Sequence, residues 1–176
     1  LDIDALRRSF DILVERHAAL RTSFVETPGS VHVYVPRIHP ATPLDWMRAD
    51  LLDESSSEET LRKLAKRFAA EPFDLAQGPE LRVGLVRYGD NEHLLLLALH
   101  HIATHGLSMQ FIVGEFFAPF CVAVTGTAAT LAAPPVVSSH SAALQHRRLN
   151  RSEAQRQLND WRNELGDEAP ALALPF

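Results

Sequence analysis

The sequence predicts an α/β or α+β lobe. An amphipathic helix pattern opens the chain, two strand-like runs enclose a Gly-Asp-Asn turn near its middle, and long helical patterns follow. Because strands and helices mix in a non-alternating order, a lobe with both in one core is expected. The 176 residues, 46% of them apolar, suit one domain or one lobe of a larger one.

The first third of the chain predicts a helix followed by a hairpin. Apolar residues recur at helical spacing over residues 3–20, and Asp2 is the expected cap of this helix. Two β-prone stretches, 24–26 and 31–35, flank the turn residues Pro28-Gly29-Ser30. An antiparallel pair is therefore predicted here.

The next segment predicts irregular chain, a strand and a helix in that order. Residues 36–43 hold three prolines and are expected to be irregular, whereas residues 44–52 suit a strand. Three serines and two glutamates at 55–59 resemble a helix start, and apolar spacing continues to Phe68. Pro72 is expected to close this helix.

The middle of the chain predicts two paired strands and a long helix. Residues 81–88 and 93–100 read as strands around the Gly-Asp-Asn turn at 89–91. The run 94–99 is apolar on both faces, which favours a central strand covered on both sides. A third helix is expected from about 108 to 124.

The C-terminal part predicts two helices and an extended exit. A charged helical pattern covers residues 141–165 and breaks near 150–152, where Ser152 is the expected cap of the second helix. The prolines in residues 170–176 indicate an extended exit from the domain.

Composition excludes several classes of function. The chain has a net charge of −5 and lacks a block of Lys and Arg, so nucleic acid is not an expected partner. No apolar run is expected to approach the ~18 residues of a membrane helix, and no signal peptide opens the chain. The single cysteine, Cys121, excludes an internal disulfide, suits the cytoplasm, and is predicted to be an inert core thiol among aromatic neighbours.

The unusual segment is residues 99–106, where His100, His101 and His105 follow a strand and precede a helix. Three interpretations are open. The histidines close the strand through hydrogen bonds; or His101 and His105, four residues apart, bind zinc, although the glutamate of the protease helix pattern is missing; or one imidazole acts as a general base. Gly106 allows a tight turn close to a ligand.

Two motifs and their flanks carry a family resemblance. Residues 16–24 (RHAALRTSF) resemble the RHxxLRTxF motif of nonribosomal peptide synthetase condensation domains, and residues 100–106 (HHIATHG) resemble their HHxxxDG motif. Residues 71–82 and the tail 157–175 resemble further stretches of the same family, in the same order. The resemblance implies the chloramphenicol-acetyltransferase-like fold, a sandwich in which a mixed sheet is flanked by helices. It also implies that residues 1–176 form the N-terminal lobe, without its opening strand.

The resemblance assigns roles to the motif residues. It implies that His101 positions or deprotonates the attacking amine, that His100 is mainly structural, and that Gly106 lies near the reacting thioester. His105 stands where the family has a structural Asp, so the permanent anion at that position is lost. The arginines and histidine of the first motif, Arg16, His17 and Arg21, are expected to be structural.

The resemblance also implies an activity and partners. The family forms amide bonds between acyl groups that carrier proteins hold on phosphopantetheine, with no metal and no cofactor bound by the domain itself. A donor carrier, an acceptor carrier, a C-terminal lobe reached through residues 166–176, and adjacent synthetase domains are the expected partners. Two alternatives stay open: a catalytically impaired relative kept for carrier binding or interdomain packing, and a same-fold acyltransferase that uses a free acceptor. Restoring the motif by His105→Asp is expected to raise activity or stabilise the loop.

Overall fold

The computed structural model describes residues 1–29, 34–52, 58–127, 131, 133 and 138–166. It divides into two compact units, Leu1–Pro135 and Val136–Phe176. The first unit holds the sheets, the core and the histidine segment. The predicted exit, 170–176, lies outside the described residues, as do the hairpin residues 30–33 and the serines before the second helix.

The first helix, α1 (Ile3–Arg16), begins at the predicted cap, because the Asp2 carboxylate accepts a hydrogen bond from the Ala5 N–H at 2.8 Å. It ends four residues earlier than predicted. His17 adopts an extended conformation and a 3₁₀ turn, Ala18–Arg21, leads into the first strand. The buried face of α1 carries Phe10, Leu13 and Val14, as the helical spacing predicts.

Two strands, β1 (Thr22–Glu26) and β2 (Tyr34–Ile38), form the predicted antiparallel pair. The expectation of irregular chain from residue 36 is wrong, since Pro36 lies inside β2, opposite Phe24. The Phe24 N–H bonds to the Leu75 carbonyl rather than to β2. Phe24 and Pro36 are therefore not a hydrogen-bonded pair, and the sheet needs no N–H from Pro36 at this position. A proline, which has no N–H, is tolerated in β2 for that reason.

The larger sheet has three strands in the order β3 (Trp46–Asp50), β4 (Leu81–Arg87), β5 (His93–Leu99). β3 runs parallel to β4, and β5 runs antiparallel to it, so the sheet is mixed as expected. α2 (Glu58–Ala70) connects β3 to β4.

The prediction that residues 94–99 form the central strand is wrong for the sheet that the structure describes. β4 lies in the middle and is buried along most of its length, whereas β5 is at one side and half-buried throughout. Both strands are rich in apolar residues, and composition alone does not say which of two such neighbours pairs with a third strand. The connection through α2 determines which strand is central, because it brings β4 back beside β3 in parallel.

The third long helix, α3 (Gly106–Thr125), covers the predicted range and begins two residues earlier. Its buried residues Ile112 and Phe116 pack against α1, where the Phe10 and Phe116 rings stack with centroids 4.3 Å apart. The ring of Trp46 from β3 meets the ring of Phe10 edge to face, with centroids 5.2 Å apart. The main core thus lies between α1, α3 and the larger sheet.

The outer side of α3 is also apolar, which overturns two expectations. Cys121 is exposed instead of buried, because it lies on the far side of the helix from Phe116. Residues 108–125 are also long and apolar enough, by length and composition, to cross a membrane, contrary to the sequence expectation. One such helix is weak support for a membrane span, and here one face of it packs into the core.

The second unit contains two helices, α4 (Ser138–Leu149) and α5 (Ser152–Leu165). The break at 150–151 confirms the prediction. The cap of α5 is Arg151, without a side-chain hydrogen bond to the helix, so the expectation that Ser152 caps it is wrong. α5 has no buried residue and exposes Leu158, Trp161 and Leu165.

Glu80, directly before β4, is fully buried. Neither of its carboxylate oxygens has a hydrogen-bond partner in the described part of the chain. Burial raises the pKa of this carboxyl above its ordinary value of 4.5, while a charge on nearby His100 acts in the opposite direction and Asp74 adds to the rise. A charged Glu80 is therefore unfavourable in the folded state.

We expect Phe116→Ala to lower the free energy of unfolding by about 3–5 kcal/mol, because it removes a buried ring stacked on Phe10. Phe111→Ala, on the same helix but 72% exposed, should change it by less than about 0.5 kcal/mol. Denaturant titration of both variants measures the difference. Equal losses would contradict the assignment of the buried face of α3.

We also expect Glu80→Gln to change how stability depends on pH. Between pH 4.5 and the raised folded-state pKa, the folded state binds a proton that the unfolded chain has released. The contribution of Glu80 to the free energy of unfolding therefore falls as pH rises through this window and is lowest above it. Glu80→Gln should remove that fall and be the more stable protein at neutral pH.

Melting temperatures of both proteins at several pH values test this expectation. Glu164→Gln, which removes an exposed carboxyl from α5, is the matched control and should follow the wild-type curve. A Glu80→Gln curve parallel to the wild-type one would show that Glu80 ionises as freely in the fold as in the unfolded chain.

Candidate active site

The histidine segment forms a tight turn between β5 and α3. The N–H of His100 donates to the carbonyl of Glu80 at 3.1 Å, and the carbonyl of His100 accepts from the N–H of Ala103. The Nδ1 atom of the same ring accepts a bond from the Ile102 N–H at 3.1 Å. The ring also meets Phe73 edge to face at 5.8 Å. His100 therefore holds the turn together.

A cavity of about 420 Å³ lies beside this turn. Its polar side is formed by four residues of the turn and the start of α3. Apolar residues of α2, the segment after α2, β5 and α3 form the rest. The residues of the polar side are His101, Thr104, His105 and Gly106. Three of the four predicted site residues thus share one cavity, and His100 lies outside it.

The two imidazoles in this cavity are both exposed. Within the described residues, neither the His101 ring nor the His105 ring takes part in a hydrogen bond or an ion pair. Both rings are therefore available to a ligand, unlike the ring of His100. A neutral imidazole can accept a proton near neutral pH, so this cavity has the groups for acid–base chemistry.

His105 occupies the N-cap position of α3, and its side chain makes no capping bond to the helix. Asp is among the preferred residues at such a position, because its carboxylate accepts a bond from the free N–H groups of the first turn. Gly106, the first residue of α3, lines the cavity, so the partly positive end of the helix meets it. Nothing lies within 4 Å of the place where a Cβ of Gly106 would stand, and the cavity stays open there.

The residues of the first motif make contacts within the fold. Arg16 Nε and His17 Nε2 both bond to Oε2 of Glu115 in α3, at 3.0 and 2.8 Å. The hydrogen bond from Arg16 is the main cause that holds the pKa of the Glu115 carboxyl below its ordinary value. Burial acts in the opposite direction and is the next largest effect, and the hydrogen bond from His17 lowers the pKa further. Arg21 donates to the carbonyls of His39, Val14 and Glu15. These bonds tie α1 to α3 and to the hairpin.

Sequence reasoning missed Glu115. The signal that identifies it is its isolation, because it is the only charged residue in the mostly apolar segment 106–125. A lone carboxylate in an apolar helix needs a partner if that face is buried. The first motif supplies two, Arg16 and His17.

The zinc interpretation finds no support in the structure. Among the described residues, no group of three or more His, Cys, Asp or Glu side chains is placed to hold a metal ion. His101 and His105 also belong to a turn and a helix cap, so they do not share one helix face as the protease pattern requires.

The condensation-domain model matches residues 1–176. Chondramide synthase cmdD from Chondromyces crocatus is 36% identical over 178 residues, which covers 99% of this chain and 4% of that protein. Cyclosporin synthetase simA from Tolypocladium inflatum is 33% identical over 177 residues, covering 99% of this chain and 1% of the relative. The chain therefore spans only a small part of the length of these relatives.

The fold of this chain is similar to that of a domain with a solved structure. The epimerization domain from the third module of tyrocidine synthetase B superposes with a TM-score of 0.83 at 24% identity, over 99% of this chain and 39% of that one. Both the mixed sheet with flanking helices and the sequence match agree with the resemblance carried by the two motifs. This chain belongs to the condensation-domain family.

Proposed function

We propose that this chain is the N-terminal lobe of a condensation domain that forms amide bonds between acyl groups tethered to carrier proteins. The observation that carries the proposal is the His101 imidazole, exposed beside a cavity at the end of β5 and without a partner among the described residues. The match of the whole chain to the family supports it.

The reaction needs no covalent bond between the protein and the substrates. An amine attacks a thioester carbonyl, the N–C bond forms, the C–S bond breaks, and the thiolate leaves. Alignment of two tethered reactants supplies roughly 7–11 kcal/mol in favourable cases. His101 orients the amine or removes its proton, which adds about 10²–10⁴-fold. The positive end of α3 at Gly106 suits the negative charge that develops on the carbonyl oxygen.

The proposal includes partners beyond the chain. The cavity is open on one side, where the second lobe would close it, and residues 166–176 would lead to that lobe. Donor and acceptor carrier domains would bring the substrates on phosphopantetheine, a flexible arm long enough to enter from the surface. The apolar lining from β5, such as Leu97 and Leu99, suits the arm and uncharged acyl groups.

His105 favours a second candidate, a catalytically impaired domain that binds carriers or packs between domains. The family places an Asp at this position, and a histidine does not provide a permanent anion there. If a buried arginine of the second lobe relies on that carboxylate, leaving it unpaired costs about 3–5 kcal/mol. Amide formation by the wild-type protein separates the two candidates.

We expect His101→Ala to lower single-turnover amide formation by at least about 10²-fold while the melting temperature stays within a degree or two. The ring is exposed and makes no hydrogen bond in the described part of the chain, so its loss costs little packing. The assay uses the full-length protein with thioester substrates on both carriers.

His93→Ala is the matched control, since His93 begins β5 at the end away from the cavity. It should leave the rate within a few-fold of the wild type. Equal rates for the His101→Ala protein and the wild type would remove the catalytic role of His101.

A further inference from the structure

Arg82 in β4 lies on the face of the larger sheet that α2 covers. Its neighbours in the strand, Leu81 and Val83, belong to the main core, so the alternation of side chains along a strand places Arg82 on the opposite face. Its guanidinium lies over the ring of Phe68 in the last turn of α2, 5.7 Å from the ring centroid. The side chain of Arg82 is therefore placed against the C-terminal end of α2.

The guanidinium of Arg82 binds the end of α2 and the two residues that follow soon after it. It donates to the carbonyls of Phe68 at 3.1 Å and Pro72 at 2.9 Å, and also to the carbonyl of Glu71. The carbonyl of Phe68 needs a donor from outside the helix, because Pro72, four residues on, has no N–H. A positive side chain is also favourable at the negative end of a helix. Arg82 thus fixes the path of the chain after α2.

The ring of Phe73, the next residue in this segment, is held by contacts of its own. The guanidinium of Arg82 lies over the ring at 4.2 Å from its centroid. The same ring meets His100 edge to face at 5.8 Å and lines the cavity that contains His101 and His105. Arg82 does not line this cavity. Any effect of Arg82 on the cavity is therefore transmitted by the segment after α2, and above all by Phe73.

We propose that Arg82 is a positioning residue that acts through Phe73 to limit the size of the acyl side chain that the cavity accepts. The inference rests on the proposed function. Phe73 contributes a large ring to the apolar wall, whereas α2 and β5 each contribute an alanine to it, Ala69 and Ala98. A ring that stays in place restricts the space for a substrate side chain. Arg82 keeps it in place by binding the carbonyls of residues 71 and 72 and by stacking on the ring.

The test is a competition between a small and a large acyl group. The full-length protein receives an equal mixture of alanyl- and phenylalanyl-pantetheine thioesters as acceptors, with N-acetylalanyl-pantetheine thioester as donor. A second series offers N-acetylalanyl and N-acetylphenylalanyl thioesters as competing donors to the alanyl acceptor. Mass spectrometry gives the ratio of the two amides, which reports the ratio of the two kcat/KM values. Unfolded protein consumes neither substrate, so a loss of stability alone leaves this ratio unchanged.

Phe73→Ala should shift the ratio toward the phenylalanyl product by at least about tenfold in one of the two series, because it removes the ring from the wall. Arg82→Lys should shift it in the same direction by at least about threefold, because lysine keeps the charge but has no planar group to bind three carbonyls and stack on a ring. The double variant should match Phe73→Ala within about twofold, since no ring is left for Arg82 to hold.

Arg87→Lys is the matched control, because Arg87 lies in the same strand at the end away from the cavity. It pairs with the exposed carboxylate of Asp50 at 3.7 Å, and its substitution should leave the ratio within about twofold of wild type. A role of Arg82 in stability alone would lower the yield of both amides by the same factor. An unchanged ratio for Arg82→Lys in both series would therefore overturn the inference, as would an equal shift for Arg87→Lys.

Three further outcomes would also overturn it. The first is a ratio for Phe73→Ala that equals the wild-type ratio in both series. The second is a double variant whose shift is well beyond that of Phe73→Ala, because Arg82 would then act by another route. The third is an Arg82→Lys protein that does not fold while Arg87→Lys does, because that result would assign Arg82 to stability.

Failure of the proposed function gives a different result. If the wild-type protein forms no amide from any of these thioesters, the proposed function is wrong, and this inference with it. If the wild type forms amide and the variants of Arg82 and Phe73 keep its product ratio, the function stands and only the role of these two residues is lost.

Discussion

The contact between α1 and α3 is the interaction on which the site depends. Stacked Phe10 and Phe116 fix the distance between the two helices, and Glu115, held by Arg16 and His17, fixes their register. Deleting one partner of such a part-buried charge cluster leaves the others without compensation, so the cluster resists sliding of one helix along the other. The turn with His101 is held between the end of β5 and the start of α3. Its geometry therefore follows from contacts made along the length of α3.

The first motif contributes two of the three side chains in this charge cluster. Arg16 and His17 lie at the end of α1, where positive charge already suits the helix dipole. Their common partner is nine residues beyond the start of α3, about 13 Å along the helix. A substitution in the first motif should therefore change the shape of the cavity by shifting α3, although Arg16 and His17 do not line the cavity.

Sequence periodicity predicted most elements, because helical and strand spacing depend on local burial. It did not predict which apolar strand lies in the middle, since β4 and β5 have similar composition and only long-range pairing with β3 distinguishes them. The exposure of Cys121 was missed for a related reason. α3 is apolar on all sides, so its spacing does not reveal the buried face.

The candidate site was predictable as a cluster, because the histidines are adjacent in the chain. Their different surroundings were not predictable. Only the structure separates His100, whose ring is engaged in the turn, from His101 and His105, whose rings are open to the cavity. The partnership of Glu115 with the first motif joins residues almost a hundred positions apart, which no local pattern encodes.

Exposure of the single thiol has a practical consequence. Cys121 lies fifteen residues after Gly106 on the same helix, about 22 Å from the cavity along the helix axis. A maleimide dye or nitroxide would react there at one defined position in residues 1–176, without cysteine removal elsewhere in this stretch. Paired with a second label on a carrier domain, such a reporter would test whether the proposed carrier approaches this unit, while leaving both imidazoles untouched.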